Sequence, residues 1–566
     1  MSDEIKLTKL EYLKENSHQL RGSLAEELAN DRDHLSGDAA QILKFHGSYQ
    51  QRDRDRRGGP QDRAYMFMIR TAIPGGRLTA RQLLAEMDLS DRYGNGTLRI
   101  TTRQDLQLHG IVKKNLRSTI RAINDVQLTT FGGCGDVERN VMCCPAPDNA
   151  SPVRAEMQEM ANRFAKHLQP RTRAYYEIWL QDSEGHKRNV TEFRPVEEPI
   201  YGDRYLPRKF KTGFALPEDN CVDVLTNDLG FIGIVEEERI VGYNVAIGGG
   251  QGMTPAVKTT FPAIAQTIGF VSPDQVLAVG EAVVKVFRDF GNRTDRKRAR
   301  LKYLIADRGL GWVKTQVEEY LGQPLAEARP HSIRNAQDHL GWHEQSDGRL
   351  FVGINVENGR IQDTDRIRLK TALRTLLAQY DFPVRLTPLQ SLILCDIDPD
   401  NRSAVERILA DHGVEPAEQQ TQAHRYAMAC PALPTCGLAI TESERVMPSL
   451  MDHLDAELRR FGLADLRIAV HMTGCPNGCA RPYTSDIGIV GKARGRYTIY
   501  LGGNVAGTRL SFKFLDMVPL EQIVPTLIPL LESYQTERHD EESFGDFCVR
   551  KGRDALLPLL SADSTA

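Results

Sequence analysis

Four of the ten cysteines form two pairs towards the C-terminal end of the 566-residue chain. Cys430 and Cys436 lie in the segment AMACPALPTCGLA, and Cys475 and Cys479 lie in HMTGCPNGCARPY. Four thiolates brought together from two loops form a soft, tetrahedral set of ligands, which suits zinc or an iron–sulfur cluster. The two pairs therefore predict a metal centre where two loops meet.

The spacing within each pair helps to choose between these centres. Structural zinc sites commonly take cysteines separated by about two to four residues, and only Cys475 and Cys479 fit that spacing. The wider loop from Cys430 to Cys436, and the prolines that follow Cys430 and Cys475, are typical of iron–sulfur loops. Spacing favours a four-iron cluster and leaves structural zinc and unligated thiols open as alternatives.

Length and composition predict a protein with several domains. A chain of 566 residues is too long for one hydrophobic core and is expected to form about three or four domains. The net charge of -3 argues against wholesale nucleic-acid binding. The N-terminal segment is polar, and no run approaches the roughly 18 apolar residues of a membrane helix, so we expect a cytoplasmic protein. In that setting the ten cysteines favour metal binding or buried thiols over disulfides.

The order of predicted elements occurs twice along the chain. The segments TLRITTRQDLQLHGI and PVRLTPLQSLILCDI each predict strand, turn and strand, and Arg99 and Thr101 correspond to Arg385 and Thr387. The segments LGFIGIVEEERIVGYNVAIGGGQG and SDIGIVGKARGRYTIYLGGNVAG form a second pair. We therefore predict two copies of one unit, each joining a small sandwich-like module to an α/β module.

The repeat gives the expected domain boundaries. Residues 1–60 have few periodic apolar positions and end in alternating charges, which predicts a solvated arm. The first copy is expected to comprise residues 61–131 and 132–332, and the second copy residues 333–405 and 406–566. The basic run at residues 293–302 is typical of a solvated helix face. No glycine-rich stretch has the spacing of a dinucleotide fingerprint, so a nicotinamide cofactor would act through another protein.

Several further segments carry a resemblance to a known family. The motifs ACPALPTC and TGCPNGC, together with RITTRQDLQLHGI, ERNVM, LPRKFKTG, GNRTDRK and FGDFCVR, resemble the sulfite and nitrite reductase hemoproteins. The resemblance runs from about residue 45 to residue 552 and is strongest to the NADPH-dependent assimilatory branch. It implies an α+β fold with a pseudo-twofold repeat, in which a ferredoxin-like half-module accompanies each α/β domain. The second α/β domain then carries a siroheme-coupled 4Fe-4S cluster, and the first forms the substrate side.

The resemblance also implies roles for particular residues. In the family the four cysteines hold the cluster, and the last of them bridges to the siroheme iron, which is Cys479 here. Siroheme brings eight carboxylates, and burying them demands cations and hydrogen-bond donors. The matching positions around the macrocycle are Arg99, Thr101, Arg103 and His109.

The family's substrate anion is held by two arginines and two lysines. These positions fall on Arg70, Arg139, Lys209 and Lys211. Lysine can release a proton where arginine cannot, so the two lysines are the expected proton donors. The two arginines are expected to fix and neutralise the oxyanion.

The resemblance implies six-electron reduction of sulfite to hydrogen sulfide in sulfur assimilation and cysteine biosynthesis. Electrons would come from NADPH through a flavoprotein (alpha) subunit, which makes a hetero-oligomer. Within the family, ferredoxin-dependent reduction of sulfite or nitrite is the alternative. Outside the family, the alternative is a structural zinc-binding protein without redox activity. Neither nucleic acid nor a membrane is an expected partner.

Overall fold

A computed structural model describes residues 6–56, 64–147, 152–177, 179–190 and 198–560. The helices are α1 (Lys9–Glu15), α2 (Leu24–Ala29), α3 (Gly37–Leu43), α4 (Ala80–Arg92), α5 (Leu116–Asp125), α6 (Val153–His167), α7 (Val276–Phe290), α8 (Leu301–Arg308), α9 (Leu310–Leu321), α10 (Leu369–Tyr380), α11 (Arg402–Asp411), α12 (Gln422–Arg425), α13 (Met447–Arg460), α14 (Ile523–Glu537), α15 (Phe544–Lys551) and α16 (Arg553–Leu556). None of the helices within these ranges combines the length and apolarity that crossing a bilayer requires.

The strands alternate with these helices. They are β1 (Ser48–Arg52), β2 (Tyr65–Thr71), β3 (Arg77–Leu78), β4 (Leu98–Ile100), β5 (Leu106–Ile111), β6 (Met142–Cys143), β7 (Trp179–Gln181), β8 (Lys187–Asn189), β9 (Thr212–Ala215), β10 (Leu229–Glu236), β11 (Arg239–Ile247), β12 (Gln266–Val271), β13 (Gly341–Glu344), β14 (Leu350–Ile354), β15 (Arg360–Ile361), β16 (Val384–Leu386), β17 (Leu392–Ile397), β18 (Met428–Ala429), β19 (Val470–Thr473), β20 (Ile487–Ala493), β21 (Arg496–Leu501) and β22 (Phe512–Pro519).

Two of the five-stranded sheets have the same topology. One runs in the order β6-β9-β10-β11-β12 and the other in the order β18-β19-β20-β21-β22. In both sheets the first three strands are parallel and the last two are antiparallel. The same order and the same directions arise from two distant stretches of chain, so the predicted pseudo-twofold α+β fold is confirmed.

The other two five-stranded sheets belong to the ferredoxin-like modules, and they exchange a strand. Their orders are β1-β2-β5-β4-β15 and β13-β14-β17-β16-β3. The short strand β15 from the second copy pairs with β4 of the first, and β3 from the first copy pairs with β16 of the second. Backbone hydrogen bonds therefore join the two copies at both sheet edges.

Local sequence explains how these elements form. Helix α4 begins with a capping box, in which Thr79 Oγ1 accepts from the backbone of Gln82 and the Gln82 side chain accepts from Thr79; such a box satisfies two amide groups that the helix leaves unpaired. One hydrophobic core extends from Leu20 to Leu409 and contains both half-modules. The second α/β sheet and the helices that pack on it share a separate hydrophobic core.

The N-terminal region differs from the predicted solvated arm. Helices α1, α2 and α3 pack there, Leu20, Ile42 and Phe45 are buried, and β1 pairs with β2. The helices are only 7, 6 and 7 residues long, so none has enough turns to show a clear periodicity. The boundary expected at residue 60 lies outside the described residues.

The basic run at residues 293–302 also differs from its prediction. Arg296 contacts Asp136, and Arg300 donates two hydrogen bonds to Asp228, at 3.0 and 2.7 Å. The Lys302 ammonium group donates to backbone carbonyls within residues 250–252, at 2.9 and 2.8 Å. These acceptors lie far away in the sequence, so no local charge pattern can indicate that Arg296, Arg300 and Lys302 are paired within the fold.

Candidate active site

The four paired cysteines lie in two loops at one edge of the second α/β sheet. Cys430 directly follows β18, and Cys475 follows β19 after one glycine. These strands are parallel neighbours, so their carboxyl ends meet at the same edge, which is where open α/β sheets bind ligands. The backbone of Gly474 donates to Cys430 Sγ and the Asn477 side chain donates to Cys475 Sγ, both at 3.3 Å.

The cysteine sulfurs interact electrostatically with one another. Burial raises the pKa of Cys430, and the neighbouring thiols of Cys479, Cys475 and Cys436 raise it further. Burial, with Cys479 adding to it, raises the pKa of Cys475 to about 11. A metal cation reverses this penalty because coordination deprotonates thiols outright. The set therefore fits a metal centre chemically.

No three of the four paired sulfurs lie as close together as the ligands of a single ion do. Ligands of one tetrahedral zinc lie about 3.8 Å apart when Zn–S is about 2.3 Å. Among the described residues, the group of donor atoms found within 4.8 Å of one another lies elsewhere and contains none of these cysteines. A 4Fe-4S cluster is larger and holds its cysteines further apart.

Cationic side chains converge from the first half of the chain. Arg70 lies on β2, and Arg139 is buried in the segment before β6, where its Nε donates to the carbonyl of Gly135 at 2.7 Å. Lys209 and Lys211 flank the buried Phe210 just before β9. In an extended segment alternate side chains point to the same side, so both lysines face away from the core that holds Phe210.

Lys209 and Lys211 lie among other cations, whereas Arg70 lies 3.9 Å from the carboxylate of Asp105. Burial lowers the pKa of Lys209 to about 7, and Arg208 and Arg300 contribute to the shift. Burial, followed by the charges of Lys209 and Arg103, lowers the pKa of Lys211 well below its usual value. A bound anion would relieve both effects, because opposite charge favours the protonated ammonium. The arrangement therefore favours the binding of an anion, which stays a prediction.

Cys479 lies near both the other paired cysteines and the cationic side chains. Burial has the largest effect on the pKa values of Arg70, Lys209 and Lys211, and the nearby Cys479 thiol opposes it by raising each of them. The same sulfur acts on the other three paired cysteines. Cys479 is exposed, and its carbonyl accepts a hydrogen bond from Thr102 Oγ1 at 2.9 Å. Cys479 is therefore near both sets of residues, and its bridging role stays a prediction.

The turn between β4 and β5 holds two of the residues predicted to surround the siroheme. Thr101 Oγ1 accepts from the backbone of Arg103 at 3.1 Å and of Asp105 at 3.2 Å, so it shapes the turn. Arg103 donates to Asn227 Oδ1 and to the backbone carbonyl of Asn140, both at 2.6 Å. Its Nε is buried without a partner among the described residues.

His109 and Arg99 differ in how they are engaged. His109 is buried on β5, and neither ring nitrogen has a partner within the described part of the chain. Burial and then the charges of nearby arginines hold the pKa of His109 well below its usual value. Arg99 donates to Glu444 at 3.0 Å and to the Ala429 carbonyl at 2.8 Å. Arg99 therefore braces the loop that begins at Cys430, while the predicted contact of all four residues with a macrocycle stays a prediction.

Several charged residues near the site were not predicted. Burial, with the charge of Arg296, lowers the pKa of Arg208 to about 10, and Arg300 acts on both site lysines. Burial raises the pKa of Glu138 to about 8 against the opposing charge of Arg103. Their sequence signals were the basic run and the segments ERNVM and LPRKFKTG, which show residue type but not direction.

The unpaired groups make the site suitable for a buried polyanion. The buried Nε of Arg103 lacks an acceptor, and neither ring nitrogen of His109 has a hydrogen-bond partner among the described residues. Burying such groups without partners is costly. Siroheme carries carboxylates that match this need. The residues present therefore fit a siroheme beside the cysteine loops.

Comparisons with known proteins agree with this geometry. The family model described as "Nitrite and sulphite reductase 4Fe-4S domain" matches residues 159–325 and 420–564, and the model described as "Nitrite/Sulfite reductase ferredoxin-like half domain" matches residues 59–126 and 343–412. The chain therefore belongs to the sulfite reductase hemoproteins of the nitrite and sulphite reductase family. This confirms the predicted resemblance and the two predicted cofactors, a 4Fe-4S cluster and siroheme.

Particular relatives extend over almost the whole chain. A Geobacillus kaustophilus protein named sulfite reductase (NADPH) hemoprotein beta-component is 46% identical and covers 96% of this chain and 95% of its own. The Myxococcus xanthus protein of the same name is 44% identical, covering 96% of this chain and 97% of its own. The solved structure of the Mycobacterium tuberculosis NirA protein superposes with a TM-score of 0.80 at 25% identity, covering 97% of both chains.

Proposed function

We propose that this chain reduces sulfite to hydrogen sulfide by six electrons, as the hemoprotein component of an NADPH-dependent assimilatory sulfite reductase. The observation that carries the proposal is the position of Cys479, which lies near enough to influence both the three other paired cysteines and Arg70, Lys209 and Lys211. An electron-transfer centre and an anion site that share one sulfur can deliver electrons directly to a bound oxyanion.

Each cofactor is assigned a set of residues. The cluster would be held by Cys430, Cys436, Cys475 and Cys479, and Cys479 would also hold the siroheme iron. The macrocycle is surrounded by Arg99, Thr101, Arg103 and His109, whose donors neutralise its carboxylates. When bound, siroheme and the cluster supply stored electrons and the iron that receives the substrate.

The remaining residues bind the substrate and move protons. Arg70 and Arg139 hold the oxyanion, because a guanidinium stays charged and presents several donors. Lys209 and Lys211 deliver protons as S–O bonds break. A pKa of about 7 for Lys209 suits this role, since proton transfer is most effective when the donor's pKa lies near the working pH.

The source of electrons is part of the same proposal. The curated relatives described above carry NADPH in their names, yet this chain has no dinucleotide fingerprint. We assign the oxidation of NADPH to a separate flavoprotein (alpha) subunit, so that the working enzyme is a hetero-oligomer. All ten cysteines are free, which fits a reducing compartment, and a cytoplasmic location belongs to the proposal, as do the domain boundaries after residues 131, 332 and 405.

The electron donor can be tested directly with the cofactor-loaded chain. Alone, it should reduce sulfite with a low-potential dye and should not oxidise NADPH. Adding a flavoprotein subunit from a related sulfite reductase should restore NADPH-dependent sulfide formation. Activity with reduced ferredoxin but not with the flavoprotein would replace the proposed donor. Rapid NADPH oxidation by the isolated chain would overturn the two-protein arrangement.

A further inference from the structure

A second group of metal-binding side chains occupies the equivalent place in the first half of the molecule. Cys144 directly follows β6, just as Cys430 directly follows β18. Asp219 and Cys221 lie in the loop after β9, just as Cys475 lies in the loop after β19. The strands β6 and β9 are parallel neighbours, as are β18 and β19, at the same edge of two sheets with the same order. The pseudo-twofold repeat therefore places a second set of possible ligands in the first half, at the position that the cluster loops occupy in the second half.

His339 completes this group. One donor atom each from Cys144, Asp219, Cys221 and His339 lies within 4.8 Å of all the others, and all four residues are buried. Asp219 Oδ2 lies 3.1 Å from Cys144 Sγ and 3.0 Å from His339 Nε2. Cys144 Sγ lies 3.6 Å from His339 Nε2. Two sulfurs, one nitrogen and one oxygen around tetrahedral zinc lie about 3.4 to 3.8 Å apart, so small adjustments suffice for all four to reach one ion.

Neighbouring groups orient the ligands and balance their charge. The second carboxylate oxygen of Asp219 accepts from the backbone of Cys221 at 3.3 Å and of Gln337 at 3.1 Å. Arg154 donates to the oxygen that faces the group, at 3.1 Å, and contacts Cys144 Sγ. Two thiolates and one carboxylate carry three negative charges, which a divalent ion and Arg154 neutralise together. Such outer partners are typical of metal sites.

We propose that Cys144, Asp219, Cys221 and His339 bind one structural zinc ion, separate from the 4Fe-4S cluster. His339 lies in the segment between α9 and β13 that connects the two halves of the chain. Its neighbour Asp338 binds Arg425 of the second half through two hydrogen bonds, at 2.7 and 2.9 Å. The ion would fix this connecting segment to the first α/β sheet, and Asp338 would hold the second half beside it.

Zinc content and zinc coordination of the full, cofactor-loaded chain test this proposal. The protein purified from zinc-supplemented cells should contain about one zinc per chain in addition to iron. X-ray absorption at the zinc edge should give two sulfur ligands at about 2.3 Å and two nitrogen or oxygen ligands at about 2.0 to 2.2 Å. This edge is separate from that of iron, so the cofactors do not interfere.

Variants assign the zinc to its ligands. Cys221→Ala and His339→Gln should each reduce zinc to less than about a tenth per chain, because each removes one of the four ligands and loss of an outer partner alone weakens metal affinity about 10- to 100-fold. Cys143→Ala is the matched control, since Cys143 is the adjacent buried cysteine and is not among the ligands. Iron and acid-labile sulfide should remain unchanged in all three. Cys436→Ser should show the opposite pattern, losing iron while it keeps zinc.

Three results would overturn the proposal. The first is no stoichiometric zinc in the unmodified protein, even after zinc(II) is added to it. The second is a zinc-edge spectrum with four sulfur ligands, which would place the ion at the cysteine pairs. The third is a Cys144–Cys221 disulfide in the peptide map of the unmodified protein. All three are measured without the variants, so a variant that fails to fold does not leave the question open.

Discussion

The turns at residues 101–105 and 387–391 are equivalent in the two copies, yet they do different work. In each, a threonine Oγ1 accepts from the backbone four residues later, at 3.2 Å from Asp105 and at 3.0 Å from Ser391. In each, a buried glutamine has a positive φ, 60° for Gln104 and 67° for Gln390. The repeat has therefore preserved the backbone of the turn, including an unusual conformation.

The side chains at the tips of the two turns explain the difference. Arg103 in the first turn reaches the segments that carry the site lysines, through its hydrogen bond to the Thr212 carbonyl at 3.0 Å. Leu389 at the corresponding place in the second turn packs in an apolar group with Met428 and Cys430. One turn contributes charge to the anion site, and the other supports the cluster loop. A duplicated scaffold has thus divided two tasks that one reaction needs.

Removing a cluster ligand should have the largest effect on this division. Cys436→Ser is expected to lose acid-labile sulfide and all measurable sulfite reduction, and to perturb the siroheme absorption, because Cys479 joins the two centres. Iron, sulfide and the visible spectrum should be measured together. The control is Cys395→Ala, which removes another buried cysteine and should retain both cofactors. An unchanged siroheme spectrum in a Cys436→Ser protein that lacks the cluster would contradict the shared ligand.

Giving the first turn the side chain of the second turn should remove the contribution of the first turn to siroheme binding. Arg103→Leu installs the apolar residue type of position 389, and it removes three hydrogen bonds as well as a buried positive charge. The unpartnered Nε would also lose a charge-assisted hydrogen bond to a siroheme carboxylate, which contributes about 1.5 to 3 kcal/mol, so siroheme content should fall at least about tenfold. Leu389→Met preserves volume and should leave siroheme in place. Normal siroheme content in Arg103→Leu would show that the turn does not contribute to its binding.

Replacing an arginine and replacing a lysine among the cationic residues should change different kinetic constants. Arg139→Gln is expected to raise KM for sulfite about tenfold or more, since it removes a charge-assisted hydrogen bond of about 1.5 to 3 kcal/mol. Lys211→Met should lower kcat more than it raises KM, because its contribution increases as S–O bonds break. Both variants must be compared at full siroheme and cluster content. Near-normal kinetics in both would mean that the substrate lies elsewhere.

The smallest expected effect is a change in pH dependence. Burial and neighbouring cations lower the pKa of Lys209 to about 7, so the side chain is a protonated donor below that pH and neutral above it. The rate kcat/KM should therefore fall as pH rises through about 7, and Lys209→Met should lack that decline. Bound sulfite raises the pKa, so the decline in kcat should occur at higher pH. A decline that persists unchanged in Lys209→Met would assign it to another group.

Sequence predicts the parts of this molecule whose signals are local. The cysteine spacing, the repeated threonine and glutamine turns and the lysine pair of LPRKFKTG each occur within a few residues, and each is found in the expected element or directly beside it. The exchanged strands β3 and β15 are only two residues long, which is too short for any pattern. Their pairing depends on contacts with the other copy.

The contacts that sequence does not predict are long-range. Arg300 meets Asp228 across 72 residues, and Cys144 meets His339 across 195. Residue type at these positions favours a solvated face or an inert core thiol, and only the folded chain shows which groups face each other. The same limit applies to Arg99, whose partner Glu444 lies in the other half of the molecule.

The most direct test of whether the cysteine loops and the cationic residues form one reaction site is the stoichiometry of sulfite reduction. The cofactor-loaded chain should be supplied with sulfite and a measured amount of reduced low-potential dye, and the sulfide formed should be counted. We expect six electrons to be consumed for each sulfide formed, without release of partly reduced sulfur compounds from the enzyme. Oxidation of the dye without sulfide formation, or accumulation of partly reduced sulfur, would contradict it.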